Sequence, residues 1–143
     1  MNRIKIELPE QFNFTTKIPV RITDLNYGGH VGNDTILSLI HEARVQFLRH
    51  HGYEELNFGG VGLIMSDAVI QFKNELFYGE VIIASVTTGA YGRVSFDIFY
   101  KFEKEVEGKP VLVAAAKTGM VCFDYSKRKT VAVPDEAKLK LQG

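Results

Sequence analysis

The sequence predicts an α+β fold in which a long helix lies against a single antiparallel sheet of about five strands. The helix is predicted over residues 34–51, where apolar side chains recur at i, i+4, i+7 and i+11. Segments rich in β-forming residues follow Gly60, and the connections between them are short. Because short connections join antiparallel neighbours, we expect these segments to form one sheet with the helix on one of its faces.

The individual elements follow from local signals in chain order. A first strand is predicted over residues 12–22, where Pro19 indicates an edge position or a bulge. Asn33 or Asp34 can cap the helix, Gly52 can end it, and its apolar arc is wide enough to predict burial. Four more strands are predicted at residues 61–72, 80–91, 93–105 and 111–125, and Pro134 begins a short C-terminal segment of one or two helical turns.

Two of the later strands carry apolar side chains on both faces, and this pattern indicates whether the chain forms an oligomer. In residues 93–105 one face holds Val94, Phe96, Ile98, Tyr100 and Phe102, and the otherwise polar second face includes Phe99. Residues 111–125 are apolar on both faces, as in a central strand. A helix covers only one face of a sheet, so we expect a second copy of the chain to cover the other. A C2 homodimer is the commonest such assembly.

Composition limits the classes of function. The chain has 143 residues, which suits one domain over residues 1–143, and 17 basic residues balance 17 acidic ones. Without a basic stripe, nucleic acid is not expected as a partner. The start lacks a secretory signal and no apolar run is long enough to span a membrane, so no membrane partner and a cytoplasmic location are expected. The four histidines show no metal-binding spacing, so no metal is expected, and the absence of G-x-S-x-G argues against an α/β-hydrolase.

The stretch "RITDLNYGGHVGND", residues 21–34, gathers chemically active groups between strand and helix. If the alternation of the preceding strand continues, Asp24 falls with Ile22 on the inward-facing side. A carboxylate on a buried face is either hydrogen-bonded or functional. Gly28 and Gly29 let the backbone approach a ligand closely, and the helix start offers unpaired N–H donors. Such a set suits attack of water on a carbonyl group, with N–H groups stabilising the oxyanion. The alternative is an ordinary turn followed by helix-capping residues.

The string R-x-T-D-L-N-x-x-G-H-V-x-N-D, followed by a helix with H-E-A-R-x-x-F-L, resembles the hotdog-fold acyl-CoA thioesterases. The resemblance is greatest to the 4-hydroxybenzoyl-CoA thioesterase-like group, with relatives among acyl-ACP thioesterases, and it spans about residues 14–134. It implies a long central helix wrapped by the sheet, homodimers or homotetramers with active sites at the dimer interface, and hydrolysis of an acyl-CoA or acyl-ACP thioester. Coenzyme A is then part of the substrate, and no cofactor is implied. The matching residues are Asp24, Gly29, His30, Val31 and Asn33, and on the helix Glu42 with Arg44.

One position departs from the family pattern. Asn26 stands where the family often has an aspartate that serves as nucleophile or base, and an amide cannot take a proton at neutral pH. Asn26 can still orient water or hold the carbonyl, with Asp24 or Glu42 activating the water and Asp67 as a third carboxylate near the helix start. His30 can donate to the carbonyl or position the loop.

The expected catalytic residues are therefore Asn26, Asp24, His30 and Glu42, and the substrate-binding candidates are Tyr27, Gly29, Val31, Asn33, Asp67 and Arg93. Backbone N–H groups of the helix start, Gly29, His30 and Val31 are the expected oxyanion donors. Two other functions stay open at this point. A non-catalytic acyl-CoA-binding module is suggested by Asn26, and a hotdog dehydratase or hydratase would need a histidine and an acidic partner converging on the acyl chain.

Overall fold

The structure, a computed structural model, describes residues 3–143, and within them a six-stranded antiparallel sheet packs against a long helix. In chain order the elements are β1 (Phe14–Pro19), a 3₁₀ turn (Ile22–Asp24), α1 (Asn33–His50), β2 (Gly62–Phe72), β3 (Val81–Gly89), β4 (Ser95–Val106), β5 (Lys109–Asp124), β6 (Lys129–Thr130) and α2 (Asp135–Gln142). The predicted α+β class and the predicted order of elements are confirmed. No helix of the described part of the chain is long and apolar enough to cross a membrane.

The strands that precede and follow α1 in the sequence, β1 and β2, lie at opposite edges of the sheet. The strand order is β1-β3-β4-β5-β2, and the two-residue strand β6 pairs with β5. Pro19 ends the edge strand β1, where the missing N–H of proline disturbs the fewest ladder bonds. The strand predicted to be central, β5, has partners on both sides.

The core lies between α1 and the inner face of the sheet. The side chains of β4 predicted to face inward, Phe96, Ile98, Tyr100 and Phe102, are at most 1% exposed. The helix buries a broad stripe against them, as its wide apolar arc predicted. The buried helix residues are Ile36, Leu39, Ile40, Ala43, Arg44, Phe47 and Leu48. Removing this apolar surface from water is the main favourable contribution to the stability of the folded chain.

The start of α1 differs from the prediction. Gly32 is the N-cap residue, with an extended backbone (φ −70°, ψ 151°), and across residues 3–143 no side chain caps the helix. Asn33 and Asp34 were expected as caps, and that prediction is wrong because both already lie in the first helical turn. The amino end of a buried helix is consequently left without a side-chain hydrogen-bond partner.

The chain between β1 and α1 also differs from the prediction. The strand ends at Pro19 rather than at residue 22, and a 3₁₀ turn follows over Ile22–Asp24. The alternation that placed Ile22 and Asp24 on one inward face does not apply to a turn with about three residues per repeat. Ile22 is therefore 65% exposed, whereas Asp24 is 3% exposed.

The outer face of the sheet is partly covered by the chain's own N-terminal segment. The Ile6 N–H donates to Gln71 Oε1 at 2.9 Å, and Gln71 Nε2 donates to the Ile4 carbonyl at 2.6 Å. Residues 4–7 lie beside Phe99 and Lys117, on the face away from α1. This part of the outer face is therefore covered within the chain itself.

A charged residue is buried beneath the sheet. Arg44, 5% exposed, donates from Nε to Glu55 Oε1 at 2.8 Å and from Nη1 to Tyr100 Oη at 3.2 Å. The Tyr100 hydroxyl lies 2.7 Å from Thr118 Oγ1. Burial raises the pKa of Tyr100, so the phenol stays neutral and available to Arg44. Each polar atom named in this cluster has a partner, which is the condition for a polar network inside a core.

Tyr100→Phe is expected to destabilise the fold by about 1–3 kcal/mol, because it leaves Arg44 Nη1 and the Thr118 hydroxyl without their buried partner. Urea unfolding followed by circular dichroism measures the free energy of unfolding. Tyr78→Phe, at a side chain that is 62% exposed, is the matched control and should change it little. Equal stabilities of the two variants would contradict a stabilising role for the cluster.

Candidate active site

The loop between the 3₁₀ turn and α1 is closed by its own backbone. The Asn26 N–H donates to the His30 carbonyl at 2.8 Å, and the Gly29 N–H donates to the Asn26 carbonyl at 3.1 Å. Gly29 has φ +85°, a left-handed conformation that glycine adopts without strain. These bonds fix the positions of Asn26 and His30 relative to each other.

A second loop, the β2–β3 connection, holds this one in place. The Val31 N–H donates to the Leu76 carbonyl at 2.9 Å, and His30 forms an isolated bridge with Phe77. From β4, the buried Lys104 Nζ donates to the Glu75 carbonyl at 2.8 Å and pairs with Glu80 at 3.1 Å. Two segments more than forty residues apart in sequence thus form one surface beside the helix start.

Asn26 presents a donor rather than a base. Its Oδ1 accepts the Gly28 N–H at 2.8 Å, so the carbonyl end of the amide is already engaged in the turn. Its Nδ2 lies 3.8 Å from the position that a Cβ would take at Gly32, the N-cap residue of α1. The amide NH₂ group therefore lies next to the amino end of the helix.

The helix start supplies further donors at the same place. The N–H groups of Asn33 and Asp34 have no carbonyl partner within the helix, and the helix dipole makes this end positive. By contrast, the Gly29 and Val31 N–H groups are used by Asn26 and Leu76. The prediction of these two N–H groups as oxyanion donors is therefore wrong, because closing and anchoring the loop requires them. The donors expected at the helix start remain, and the Asn26 amide adds to them.

A cavity of about 280 Å³ opens between the two loops and the helix start. Its lining combines apolar side chains (Val31, Ile36, Phe72, Leu76 and Val113) with polar ones (His30, Asn33, Lys73, Asn74 and Glu75). An apolar wall with a few converging polar groups is typical of a small-molecule site. Another cavity, of about 240 Å³, lies beside His41 and Tyr53 towards the other end of α1, away from the unpaired helix donors.

Asp24 is held in a structural role. Its carboxylate accepts the Arg21 N–H at 2.8 Å, and the Arg21 guanidinium contacts both carboxylate oxygens at 3.2 and 3.4 Å. With 3% exposure, Asp24 fixes the 3₁₀ turn that leads into the loop. Its charge is thereby committed to Arg21.

Glu42 lies on the far side of the helix from the cavity. It follows Asn33 by nine residues, about two and a half turns, so the two side chains point in opposite directions. Its carboxylate accepts a hydrogen bond from Gln46 Nε2 at 2.7 Å. Within one chain, Glu42 and the helix start do not form one site.

Three substrate-binding candidates lie apart from the cavity. Asp67 was expected to be buried near the helix start, and this is wrong: it is exposed and pairs with Gly119, opposite Asp97, on the outer sheet face. Arg93 precedes β4, whereas Lys104 near the other end of that strand contacts the cavity loop. The Tyr27 side chain is fully exposed.

Two other substrate-binding candidates line the cavity. Val31 lines it but is itself 4% exposed, and Asn33 lines it at the helix start.

The cavity wall formed by residues 72–76, at the end of β2 and the start of the β2–β3 connection, contains none of the candidates expected from the sequence. In particular, Glu75 Oε1 lies 3.9 Å from His30 Nε2, which brings a carboxylate next to the loop histidine. The local sequence marks these residues only as a turn, so no signal pairs them with His30. Throughout residues 3–143, no three His, Cys, Asp or Glu side chains converge as a metal site would require.

Hydrogen-bond donors at the start of a buried helix, with a cavity in front of them, form an arrangement suited to binding a carbonyl oxygen. The profile of the thioesterase-like superfamily matches residues 20–141, and the chain belongs to that superfamily. It is 30% identical, over 127 residues, to the 1,4-dihydroxy-2-naphthoyl-CoA hydrolase of Nostoc punctiforme, with 87% of this chain and 83% of that one covered.

Solved structures agree on the fold. A 1,4-dihydroxy-2-naphthoyl-CoA thioesterase from Synechocystis matches with a TM-score of 0.79 at 23% identity, covering 90% of this chain and 94% of that one. The 4-hydroxybenzoyl-CoA thioesterase from a Pseudomonas species matches with a TM-score of 0.78 at 16% identity, covering 91% and 99%. The predicted hotdog fold is confirmed, and with the sequence relatives so is the predicted class, a thioester hydrolase.

Cys122 is expected to be unreactive in the folded protein. It is fully buried, and burial raises the pKa of its thiol to about 11, so about one thiol in a thousand is ionised at pH 8. Labelling with a thiol-specific disulfide reagent at pH 8 should be slow in buffer and fast in denaturant. Rapid labelling of the native protein would contradict this placement of Cys122.

Proposed function

We propose that the chain, acting as one domain, hydrolyses a thioester of coenzyme A that carries an aromatic acyl group, with no cofactor beyond the coenzyme A part of the substrate. One observation carries the proposal: an uncapped helix start borders a partly apolar cavity, and the Asn26 amide lies next to that helix start. The names of the relatives support the acyl class, since 1,4-dihydroxy-2-naphthoyl and 4-hydroxybenzoyl are both aromatic.

The donors act on the oxygen of the thioester carbonyl. When water attacks the carbonyl carbon, negative charge develops on that oxygen, and the N–H groups at the helix start and Asn26 Nδ2 stabilise it. Collapse of the tetrahedral intermediate re-forms the C=O bond and breaks the C–S bond, which releases the acid and the thiol of coenzyme A. The acyl group lies against the apolar side chains of the cavity, among them Ile36 and Phe72.

Asn26→Ala should lower kcat by about 10²-fold on the best substrate, because it removes a donor to the oxyanion and the side-chain acceptor of the Gly28 N–H. The assay follows thiol release from aromatic and straight-chain acyl-CoAs and from matching acyl carrier protein thioesters. Asn57→Ala is the matched control, since Asn57 Oδ1 accepts a comparable turn hydrogen bond from Gly60 at 3.2 Å, away from the cavity.

Two results would count against the proposal. Tight binding of acyl-CoA without turnover above background would favour a non-catalytic binding module. Faster turnover of straight-chain than of aromatic substrates would contradict the aromatic acyl class.

We also propose that the chain forms a homodimer along the β2 edge and that two such dimers can pair into a homotetramer. β2 is a long edge strand, and several of its apolar side chains are exposed: Ile64, Met65 and Phe72 at 37%, 39% and 47%. A long apolar edge of this kind pairs readily with another strand unless it is protected. Phe72 also lines the cavity, so a partner at this edge would lie next to the site.

Met65→Lys should weaken the dimer at least about tenfold, because it places a charge where two edge strands would meet. Sedimentation velocity over a concentration series measures the association. Leu139→Lys on α2, at a side chain that is 71% exposed, is the control and should leave association unchanged. A wild-type chain that stays monomeric at high concentration would contradict the proposed interface.

For location we propose the cytoplasm. The support is the single cysteine of the chain, which cannot form an intramolecular disulfide and is buried as a free thiol.

A further inference from the structure

We infer that His30 is the general base that replaces the missing loop carboxylate, and that Glu75 from the β2–β3 connection positions it and stabilises its protonated form. This inference rests on the proposed thioester hydrolysis. Water needs a proton acceptor in that reaction, and Asn26 cannot be one. Asp24 is committed to Arg21, so it does not supply one either.

The hydrogen bonding of His30 determines which ring nitrogen can accept a proton. His30 Nδ1 lies 3.1 Å from the Val31 carbonyl oxygen, and a carbonyl can only accept, so Nδ1 carries the hydrogen. In the neutral ring Nε2 then keeps its lone pair. The ring lines the cavity, with 32% of the side chain exposed, so a water molecule in the cavity can reach Nε2.

Glu75 is placed to assist without occupying that lone pair. Its Oε1 lies 3.9 Å from His30 Nε2, which is longer than a hydrogen bond but short enough for an ion pair once the ring is protonated. The loop that carries it is fixed, because Lys104 Nζ donates to the Glu75 backbone carbonyl and Val31 bonds to the next residue, Leu76. Glu75 therefore faces His30 because of backbone contacts that do not involve its own side chain.

The base and the oxyanion donors border the same small space. A Cβ built at Gly28 would lie 3.1 Å from Asn26 Oδ1 and 3.6 Å from His30 Nε2, and the Asn26 amide reaches the helix start from there. The charged residues that line the cavity with His30 are Lys73 and Glu75 on the β2–β3 connection, while Asp34 lies beside Gly32 at the helix start and Lys104 contacts the Glu75 backbone. Of these, Glu75 is the one paired with the ring.

The proton and the electrons balance in this arrangement. His30 Nε2 takes a proton from water as the water oxygen bonds to the acyl carbon and the C=O π electrons move to oxygen. When the C–S bond breaks, its electron pair leaves with sulfur, and the imidazolium returns the proton to the thiolate. His30 is then neutral again, and the carboxylic acid product loses its own proton to solvent.

Replacing the base tests its role directly. His30→Ala should lower kcat by about 10²–10⁴-fold with little change in KM. Added imidazole should restore part of the rate, and the restored rate should rise with pH as imidazole loses its proton. A loss that imidazole does not restore, or turnover within threefold of the wild type, would overturn the assignment of His30.

Glu75→Gln tests the positioning residue through the split between kcat and KM. The substitution removes the opposite charge that faces the imidazolium formed as water attacks, so kcat should fall several-fold with little change in KM. Glu75→Asp, which keeps the charge, should restore part of the rate.

Glu136→Gln is the matched control, since it removes the same charge on α2, where Glu136 pairs with Lys140 instead. It should change neither kcat nor KM. Equal kcat values for the two glutamine variants would overturn the role of Glu75 while leaving thioester hydrolysis intact. Absence of wild-type turnover on every thioester tested would overturn both the hydrolysis and the base.

Discussion

The burial of α1 against the inner face of the sheet is the constraint on which the rest of the structure depends. The helix buries a stripe from Ile36 to Leu48, so its direction cannot change without exposing the core. Its amino end is fixed with the helix, and the first N–H groups find no acceptor inside it. A fold that stabilises itself by packing a long helix in this way also holds a set of hydrogen-bond donors in a constant position. Preorganised donors of this kind are what stabilisation of a developing oxyanion requires.

The site itself depends on contact between two loops that are distant in sequence. The hydrogen bond from Val31 to Leu76 and the bridge between His30 and Phe77 join the loop before α1 to the β2–β3 connection. Lys104 then ties that connection to β4. Because these anchors are mainly backbone groups, side chains such as His30 and Glu75 are left to line the cavity.

Asn26 changes the electrostatics of the site in comparison with the family pattern. An aspartate at this position would bring a negative charge close to the positive end of α1, whereas the amide brings a neutral donor. The carboxylate nearest the loop histidine instead comes from the other loop, as Glu75. The acidic group and the amide donor are thus on separate segments. Three carboxylates were expected from the sequence to take part in the site. Asp24 is paired with Arg21, Glu42 lies on the far face of α1, and Asp67 lies on the outer face of the sheet.

The sequence by itself determined the class of fold, the helix, the inward side chains of β4 and the importance of residues 21–34. These follow from backbone periodicity and turn chemistry, which act between residues close in sequence. It did not determine the helix cap, the 3₁₀ turn that buries Asp24, the use of the Gly29 and Val31 N–H groups, or the wall formed by residues 72–76. Only the tertiary structure decided these, because they depend on which strands become neighbours and where two separate loops meet. The hydrogen bonds that result join groups far apart in the chain, so no local pattern contains them.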